Sequence, residues 1–263
     1  MKAPVWLCGV ALVAGALSGA RAQEASDTVV RRGADLVDTE GACGSCHSPK
    51  TADGDDLPGR ELKGHIMDGW LAPDITGDPV RGIGAWTDAE LAEYLRTGAN
   101  RFDIASGPMI AIIESVTAAW SDDDMAAAAA YLRSLSTDAP PAPQPVAASD
   151  PAMAAGEAIY ADRCAACHAG SGEGAKGLFP RLAGAPLAVN DDPISLIRVV
   201  LAGSRAGSTD AVPTAPSMPS FAWNLSNGNV ADVLTYVRNA WGNAAPPVTP
   251  DQVEALRSEL APE

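Results

Sequence analysis

In the stretch "GACGSCHSPK", residues 41–50, two residues separate Cys43 from Cys46, and His47 follows directly, which gives the pattern C-x-x-C-H. The pattern returns in "RCAACHAG", residues 163–170, at Cys164, Cys167 and His168. After residue 22 the sequence holds no other cysteine. Two occurrences of one pattern in a single chain indicate one chemical reason for both.

Three interpretations explain these cysteine pairs less well than a fourth. A disulfide bond suits an oxidising compartment, but it leaves the adjacent histidine unexplained in both places. A zinc site usually takes four protein ligands, whereas each half of the chain offers two cysteines and one motif histidine. A thioredoxin-like redox pair needs a strand before a helix, and no such pattern surrounds either motif.

Covalent attachment of haem c accounts for the whole pattern, since C-x-x-C-H marks it directly. Both thiols add to the two vinyl groups on one edge of the porphyrin, so they must lie about one helical turn apart. The next residue then falls under the iron, where its imidazole is the proximal ligand. We therefore predict two covalently bound haem c groups, held by Cys43, Cys46, His47, Cys164, Cys167 and His168.

The N-terminus predicts export from the cytoplasm. Lys2 precedes the short apolar run "VWLCGVALVAGAL", and "ARA" precedes Gln23. A basic start, a short apolar core and a small-residue end are typical of a secretory signal. We predict a signal peptide at residues 1–22, cleaved after Ala22, because the run is too short to span a bilayer. Cys8 would be removed with it, and the mature protein would be periplasmic, with peripheral association with the inner membrane left open.

The composition excludes one class of partner. The chain has 263 residues, of which 47% are hydrophobic, enough for two modest domains. Its formal net charge is −15, and the predicted cleavage would remove two basic residues and no acidic one. Such a surface repels nucleic acid. It favours a partner with a basic patch, or it serves only to keep the protein solvated.

The two halves of the sequence look like copies of one domain. "RRGADLVDTEGACGSCH" parallels "AAGEAIYADRCAACH", and "WSDDDMAAAAAYLRSL" parallels "NLSNGNVADVLTYVRNAW". The proline-rich stretch "TDAPPAPQPVAAS" between them reads as a stiff linker. We predict a first domain at residues 27–136, a linker at 137–149, a second domain at 150–243 and a C-terminal tail at 244–263.

Helix signals predict an all-α fold for both domains. Thr87 and Glu90 form a capping box, and Gly98 closes the helix that they open. Further N-cap signals stand at Ser121, Asp150-Pro151, Asp192-Pro193 and Ser226, and Gly203 is a further stop signal. No sustained strand alternation accompanies them. The long connections at residues 48–85 and 204–225 are expected to wrap a cofactor.

The second axial ligand of each iron is predicted to be a methionine, because His65 is the one histidine outside the motifs. Met218, in "APSMPSFAW", is the candidate in the second domain. Met109, in a loop with the sequence "SGPMIAI", is favoured in the first domain, with Met67 and His65 as alternatives. Met125 falls within a helix and is expected either to pack in the core or to lie at the surface. A thioether ligand fills the coordination position and raises the iron potential, which suits electron transfer better than peroxide chemistry.

Other residues have predicted supporting roles. The Pro180 carbonyl could accept a hydrogen bond from the ring of His168, and Arg181 could face a haem propionate or solvent. We expect Gly33 and Gly156 on the opening helices to let the closing helices pack closely at Tyr131 and Tyr236. Five tryptophans are expected in pocket walls or core: Trp70, Trp86, Trp120, Trp223 and Trp241.

The sequence resembles class I c-type cytochromes. More narrowly, it is similar to the second and third haem domains of the multihaem cytochrome c subunit of bacterial periplasmic alcohol, gluconate and sorbitol dehydrogenases. In the first half the resemblance rests on "GWLAPDITGDPVRGIGAWTDAELAEYLRTG" and "SGPMIAI". In the second it rests on "FPRLAG", "DDPISLIRVVLAG", "SMPSFAWNLS" and "VADVLTYVRNAWGN".

The resemblance implies a non-catalytic dihaem subunit that takes electrons from a periplasmic dehydrogenase of alcohol, aldehyde or sugar type. It would pass them to a quinone, a cytochrome or an oxidase of the respiratory chain. Family ligand positions carry over to His47 and Met109, and to His168 and Met218. Two alternatives stay open: a dihaem redox enzyme, such as a peroxidase or thiosulfate-oxidising cytochrome, and a haem-free exported protein with two disulfide loops.

Overall fold

The computed structural model describes residues 23–135, 141, 143–210 and 212–260. The predicted signal peptide and its cleavage site lie outside these residues, as does part of the predicted linker. We call residues 23–135 the first half and residues 143–260 the second half. Within the described residues, no helix is both long and apolar enough to cross a bilayer.

The first half is built mostly from helices, with one pair of strands. Its elements are α1 (residues 23–34, continued by a π-helical segment, Asp35–Glu40), α2 (Gly44–His47), β1 (Lys63–Met67), β2 (Trp70–Asp74), α3 (Asp88–Thr97), α4 (Met109–Ser115), a 3₁₀ turn (Thr117–Ala119) and α5 (Asp122–Ser134).

The second half repeats this plan. Its elements are α6 (Pro151–Arg163), α7 (Ala165–His168), α8 (Pro186–Val189), α9 (Ile194–Ala202), β3 (Ser204–Arg205), β4 (Ser217–Met218), α10 (Asn227–Val237) and α11 (Pro250–Leu260). The predominantly helical prediction is confirmed.

The strands depart from the predicted all-α fold. β1 and β2 form an antiparallel hairpin in which Met67 faces Trp70, so its loop is the dipeptide Asp68-Gly69. Both loop residues have positive φ, 51° and 71°, as a type I′ hairpin turn requires, and Asp-Gly is a preferred sequence for it. Asp68-Gly69 was therefore the signal for a hairpin in the sequence. It was missed because the residues on either side do not alternate between apolar and polar, as strands usually do. In the second half, β3 and β4 pair over only two residues each.

The predicted helix ends agree with the structure except at one position. Thr87, Ser121 and Ser226 each cap a helix through a reciprocal capping box, and Asp150 caps α6. At Asp192-Pro193 the helix begins one residue later than predicted. Pro193 is the N-cap residue there, and Asp192 Oδ1 accepts a hydrogen bond from the Ile194 N–H at 2.8 Å.

In each half the opening helix packs closely against a later helix: α1 against α5 in the first half, and α6 against α10 in the second. A Cβ atom added at Gly33 of α1 would lie 2.0 Å from the carbonyl oxygen of Ala127 in α5. One added at Gly156 of α6 would lie 2.2 Å from the carbonyl oxygen of Asp232 in α10. The predicted close contacts with Tyr131 and Tyr236 are confirmed, since their Cβ atoms would lie 2.7 and 2.6 Å away.

The second half has an additional helix that the sequence did not signal. α11 lies within the stretch described above as a C-terminal tail, yet Val253 and Leu256 are almost fully buried in the core of the second half. The buried Arg238 ties this segment down, because its guanidinium donates to the carbonyl oxygens of Pro246, Asn190 and Asp191. Residues after Pro246 therefore contribute to the packing of the second half.

Candidate haem-binding sites

A large cavity lies beside each C-x-x-C-H motif. The first cavity, of about 210 Å³, is lined by Cys43, Cys46 and His47. The second cavity, of about 220 Å³, is lined by Cys164, Cys167 and His168. The remaining wall of each is largely leucine, isoleucine, valine, alanine and aromatic side chains. Apolar walls of this kind suit the faces of a large, flat, mostly apolar ligand.

A single turn of helix holds each motif. In α2 the backbone N–H groups of Cys46 and His47 both donate to the carbonyl of Cys43, at 3.2 and 2.9 Å. In α7 those of Cys167 and His168 donate to the carbonyl of Cys164, at 3.1 and 2.9 Å. This turn brings both thiols and the imidazole of each motif to one cavity, as haem c attachment requires.

The motif histidines are buried and held in one orientation. His47 Nδ1 lies 2.7 Å from the carbonyl oxygen of Pro73, and His168 Nδ1 lies 2.9 Å from that of Pro180. A carbonyl oxygen only accepts, so Nδ1 carries the proton and Nε2 keeps its lone pair for a metal ion. Burial lowers the pKa of both imidazoles below the usual range, which favours the neutral, ligating form.

The Pro180 contact was predicted, whereas the equivalent Pro73 contact was missed. Both prolines stand in a Leu-x-Pro tripeptide, "LAP" at residues 71–73 and "LFP" at residues 178–180. That repeated tripeptide was the signal available in the sequence. Its distance from the histidine differs between the halves, which hid the correspondence.

Burial works against thiolate formation at the first thiol of each motif. Burial is the main cause that raises the pKa of Cys43 to about 11, and the same holds for Cys164. Thiol–disulfide exchange requires a thiolate and hence a lowered pKa. All four motif cysteines are free in the described chain, and the described residues include no group of three or more His, Cys, Asp or Glu side chains arranged to hold a metal ion. The raised thiol pKa therefore disfavours a thioredoxin-like redox pair.

The methionine candidates reach the cavities. Met218, in β4, lines the second cavity, and Met109 lines the first. Met109 was expected in a loop but is the first residue of the short helix α4. Met67 also lines the first cavity, whereas His65 is not among the described residues that line it. Met125 is 2% exposed and belongs to the core of the first half, which is the first of its two predicted places.

The tryptophans divide between the predicted places and one unexpected place. Trp70, Trp86 and Trp120 line the first cavity. Trp241 packs against the rings of Tyr160 and Tyr236, at centroid distances of 4.9 and 5.5 Å. The expectation for Trp223 was wrong, because its side chain is 80% exposed. Trp223 lies two residues after Phe221, which lines the second cavity. The turn at these residues directs the Trp223 ring to solvent.

The two cavities adjoin each other. Four residues line both of them: Asp103, Ser106, Leu187 and Ser195. Asp103 is half-buried and accepts a hydrogen bond from the Ile104 N–H at 2.8 Å. Burial raises the pKa of its carboxyl group to about 7. No feature of the sequence distinguished Asp103 from the other acidic residues.

Comparison with known proteins agrees with this geometry. The family model described as "Cytochrome c" matches residues 30–136 and 153–241. The chain is 37% identical to the gluconate 2-dehydrogenase cytochrome c subunit of Pantoea cypripedii, over 89% of this chain and 57% of the relative. It is 34% identical to the cytochrome c subunit of the alcohol dehydrogenase (quinone) of Gluconobacter oxydans, over 90% and 53%.

A third relative is the fructose dehydrogenase cytochrome subunit of Gluconobacter japonicus, 31% identical over 86% of this chain and 52% of the relative. The chain thus spans about half the length of the relatives it matches. Proteins of the matched family bind haem c covalently through C-x-x-C-H, and the paired thiols, the neutral imidazole and the apolar walls described above fit that group. The chain belongs to the cytochrome c family.

Proposed function

We propose that this protein is a dihaem electron carrier, with one haem c in each cavity, that receives electrons from a periplasmic dehydrogenase and passes them to the respiratory chain. The observation that carries the proposal is the repeated arrangement of two free thiols, a neutral imidazole and a methionine on the wall of one apolar cavity. Haem c, when bound, takes up and releases one electron at its iron.

The residues of the chain have distinct tasks in this proposal. Cys43, Cys46, Cys164 and Cys167 anchor the two porphyrins. His47 and His168 would bind the iron of each haem, because the proline carbonyls keep each Nδ1 protonated and leave the Nε2 lone pair for a metal ion. Met109 and Met218, which line the two cavities, would each supply a thioether to the iron from a separate segment of the chain. A filled coordination position disfavours the alternative of a peroxidase, which needs an open one.

The adjoining cavities support direct exchange of electrons between the haems. Because four residues line both cavities, a single layer of side chains separates the two sites. The halves would then act as two cytochrome c domains, at residues 27–136 and 150–243, joined by the linker at 137–149. Contacts between the halves, which are described below, hold the two sites in position relative to each other.

The relatives indicate the kind of electron donor. Their names refer to dehydrogenases of gluconate, alcohol and fructose, so their cytochrome subunits serve several substrates. We therefore assign the donor to the class of alcohol, aldehyde or sugar dehydrogenases and leave the substrate to the catalytic subunit. The acceptor would be a quinone, a cytochrome or an oxidase, and the site of action the periplasm, at or near the inner membrane.

Haem content tests the proposal first. Protein isolated from cells competent in cytochrome maturation should give a pyridine haemochrome spectrum of haem c with two haems per chain. The double variants Cys43→Ala/Cys46→Ala and Cys164→Ala/Cys167→Ala should each keep one haem. A colourless wild-type protein, or one with a single haem, would refute the dihaem assignment.

The donor is tested by reduction in the presence of a purified membrane dehydrogenase complex lacking its own cytochrome subunit. We expect substrate-dependent reduction of both haems with at least one of the gluconate, alcohol or fructose enzymes. Failure with the catalytic subunit encoded or purified alongside this chain would contradict the subunit role and leave the haem assignment intact.

A further inference from the structure

The hairpin, residues 63–74, supports the proximal side of the first haem site. Its Pro73 carbonyl accepts the hydrogen bond from His47 Nδ1, and its Trp70 and Leu71 line the first cavity. The position of β2 therefore sets the geometry of the bond that orients His47. Whatever holds the hairpin also influences that bond.

Helix α9 of the second half holds this hairpin. The Leu71 N–H donates to Ser195 Oγ at 2.8 Å, and Ser195 is 2% exposed. Arg198 Nε donates to the Gly69 carbonyl at 2.9 Å, and a terminal nitrogen donates to the Asp68 carbonyl at 3.2 Å. The same guanidinium lies 5.3 Å from the centre of the Trp70 ring, within range of a cation–π contact.

The second half contacts α4 as well, the helix that begins at Met109. The Ser208 N–H donates to Glu114 Oε1 at 2.8 Å. Gly207 packs against Ile110 so closely that a Cβ atom added at Gly207 would lie 2.9 Å from the Ile110 side chain. The second half therefore contacts both the hairpin whose Pro73 orients His47 and the helix that begins at Met109.

The second haem site does not depend on the first half in the same way. Pro180, which orients His168, follows a loop closed by its own backbone bonds. The Ala175 N–H donates to the Phe179 carbonyl at 2.9 Å, and the Leu182 N–H donates to the Gly172 carbonyl at 2.7 Å. The loop also meets the first half, through the ion pair of the exposed Lys176 with Glu93 at 3.0 Å, but its backbone hydrogen bonds are internal to the second half, whereas the hairpin that carries Pro73 is hydrogen-bonded to α9 of the other half.

We propose that Ser195 and Arg198 are positioning residues for the first haem: by fixing the hairpin they set the Pro73–His47 hydrogen bond, and through it the reduction potential of that haem. This inference rests on the proposed function. A hydrogen bond at Nδ1 makes the imidazole a stronger donor to the iron, which stabilises the oxidised state. Loosening the hairpin weakens that bond, so the first haem should become easier to reduce.

The decisive variant is Arg198→Lys, which keeps the net charge. Arg198 lines neither cavity, whereas Ser195 lines both, so this substitution leaves the cavity walls unchanged. Lysine lacks the planar fork that reaches two carbonyl groups at once. In a spectroelectrochemical titration of the holoprotein, the wave of the first haem should move to higher potential while that of the second stays unchanged. The double variant Ser195→Ala/Arg198→Lys should show a larger shift of the first wave.

Two controls accompany the titration. The first wave is identified as the one absent from Cys43→Ala/Cys46→Ala. Arg257→Lys is the matched control, because Arg257 also donates to two backbone carbonyls, those of Ala222 and Leu225, but within the second half. It should leave the first wave in place.

The outcomes separate this inference from the function beneath it. An unmoved first wave in Arg198→Lys with two haems bound, or an equal shift of that wave in Arg257→Lys, would overturn the positioning role while the dihaem carrier stands. A wild-type protein without haem would overturn the function itself. The electron paramagnetic resonance signal of the oxidised first haem should also change in Arg198→Lys and stay unchanged in Arg257→Lys.

Discussion

Met109 and Met218 can be tested separately because they line different cavities. Changing either to Ala removes one thioether, so the weak near-infrared sulfur–iron band of the oxidised protein should lose about half its intensity in each variant. The potential of the affected haem should fall, since a methionine ligand raises it. Met67→Leu, which also alters the wall of the first cavity, should keep the full band. Loss of half the band in Met67→Leu, with the full band kept in Met109→Ala, would transfer the ligand role to Met67.

Asp103 predicts a pH dependence of both reduction potentials. Burial raises the pKa of this carboxyl group to about 7, so it changes from neutral to negative around neutral pH, and it lines both cavities. A negative charge beside the irons stabilises their oxidised state. Both potentials should therefore fall as pH rises through 7, and Asp103→Asn should flatten the dependence. The exposed Asp162 provides the control: Asp162→Asn should titrate like the wild type. An undiminished slope in Asp103→Asn would contradict the assignment.

The contact between α1 and α5, and its copy between α6 and α10, depends on a glycine in each pair. A Cβ atom at Gly33 or Gly156 would overlap a carbonyl oxygen of the opposite helix, so the backbones must separate. We expect Gly33→Ala and Gly156→Ala each to lower the free energy of unfolding by about 3 kcal/mol, the upper part of the range for overpacking. Denaturant titration of the holoprotein measures it.

Gly228 in α10 is the control for this prediction. The nearest atom to a Cβ atom there is Ser226 Oγ, at 3.8 Å, so the added methyl group has room. Gly228→Ala should therefore be neutral or stabilising by up to about 1 kcal/mol, because alanine favours a helix over glycine. Equal destabilisation by Gly33→Ala and Gly228→Ala would show that helix packing is not the cause.

The elements that the sequence predicted are those whose signals are local. The capping boxes at Thr87, Ser121 and Ser226 involve residues three positions apart, and the motif helices are fixed by C-x-x-C-H itself. α11 escaped prediction because its burial against the second core is a tertiary effect. The hairpin escaped because its one strong signal, Asp68-Gly69, is short.

The arrangement of the two halves could not be predicted, because its contacts join residues far apart in the chain. Ser195 bonds to Leu71 across 124 positions, and Arg198 to Gly69 across 129. A serine and an arginine on an amphipathic helix have no distinguishing pattern before the partner surface is known. The shared wall at Asp103 has the same origin, which is why each candidate site could be predicted but their adjacency could not.

These contacts predict that the two halves unfold together. The hairpin is bonded to α9, Glu114 to the loop at Ser208, and Lys176 to Glu93 at 3.0 Å. Calorimetry of the holoprotein should give one transition whose calorimetric and van't Hoff enthalpies agree. In Ser195→Ala/Arg198→Ala the hydrogen bonds between α9 and the hairpin are lost. The transition should then split into two, with the first half melting at the lower temperature because its hairpin has lost its support. Two separate transitions in the unaltered protein would contradict this coupling, as would a single, unsplit transition in the double variant.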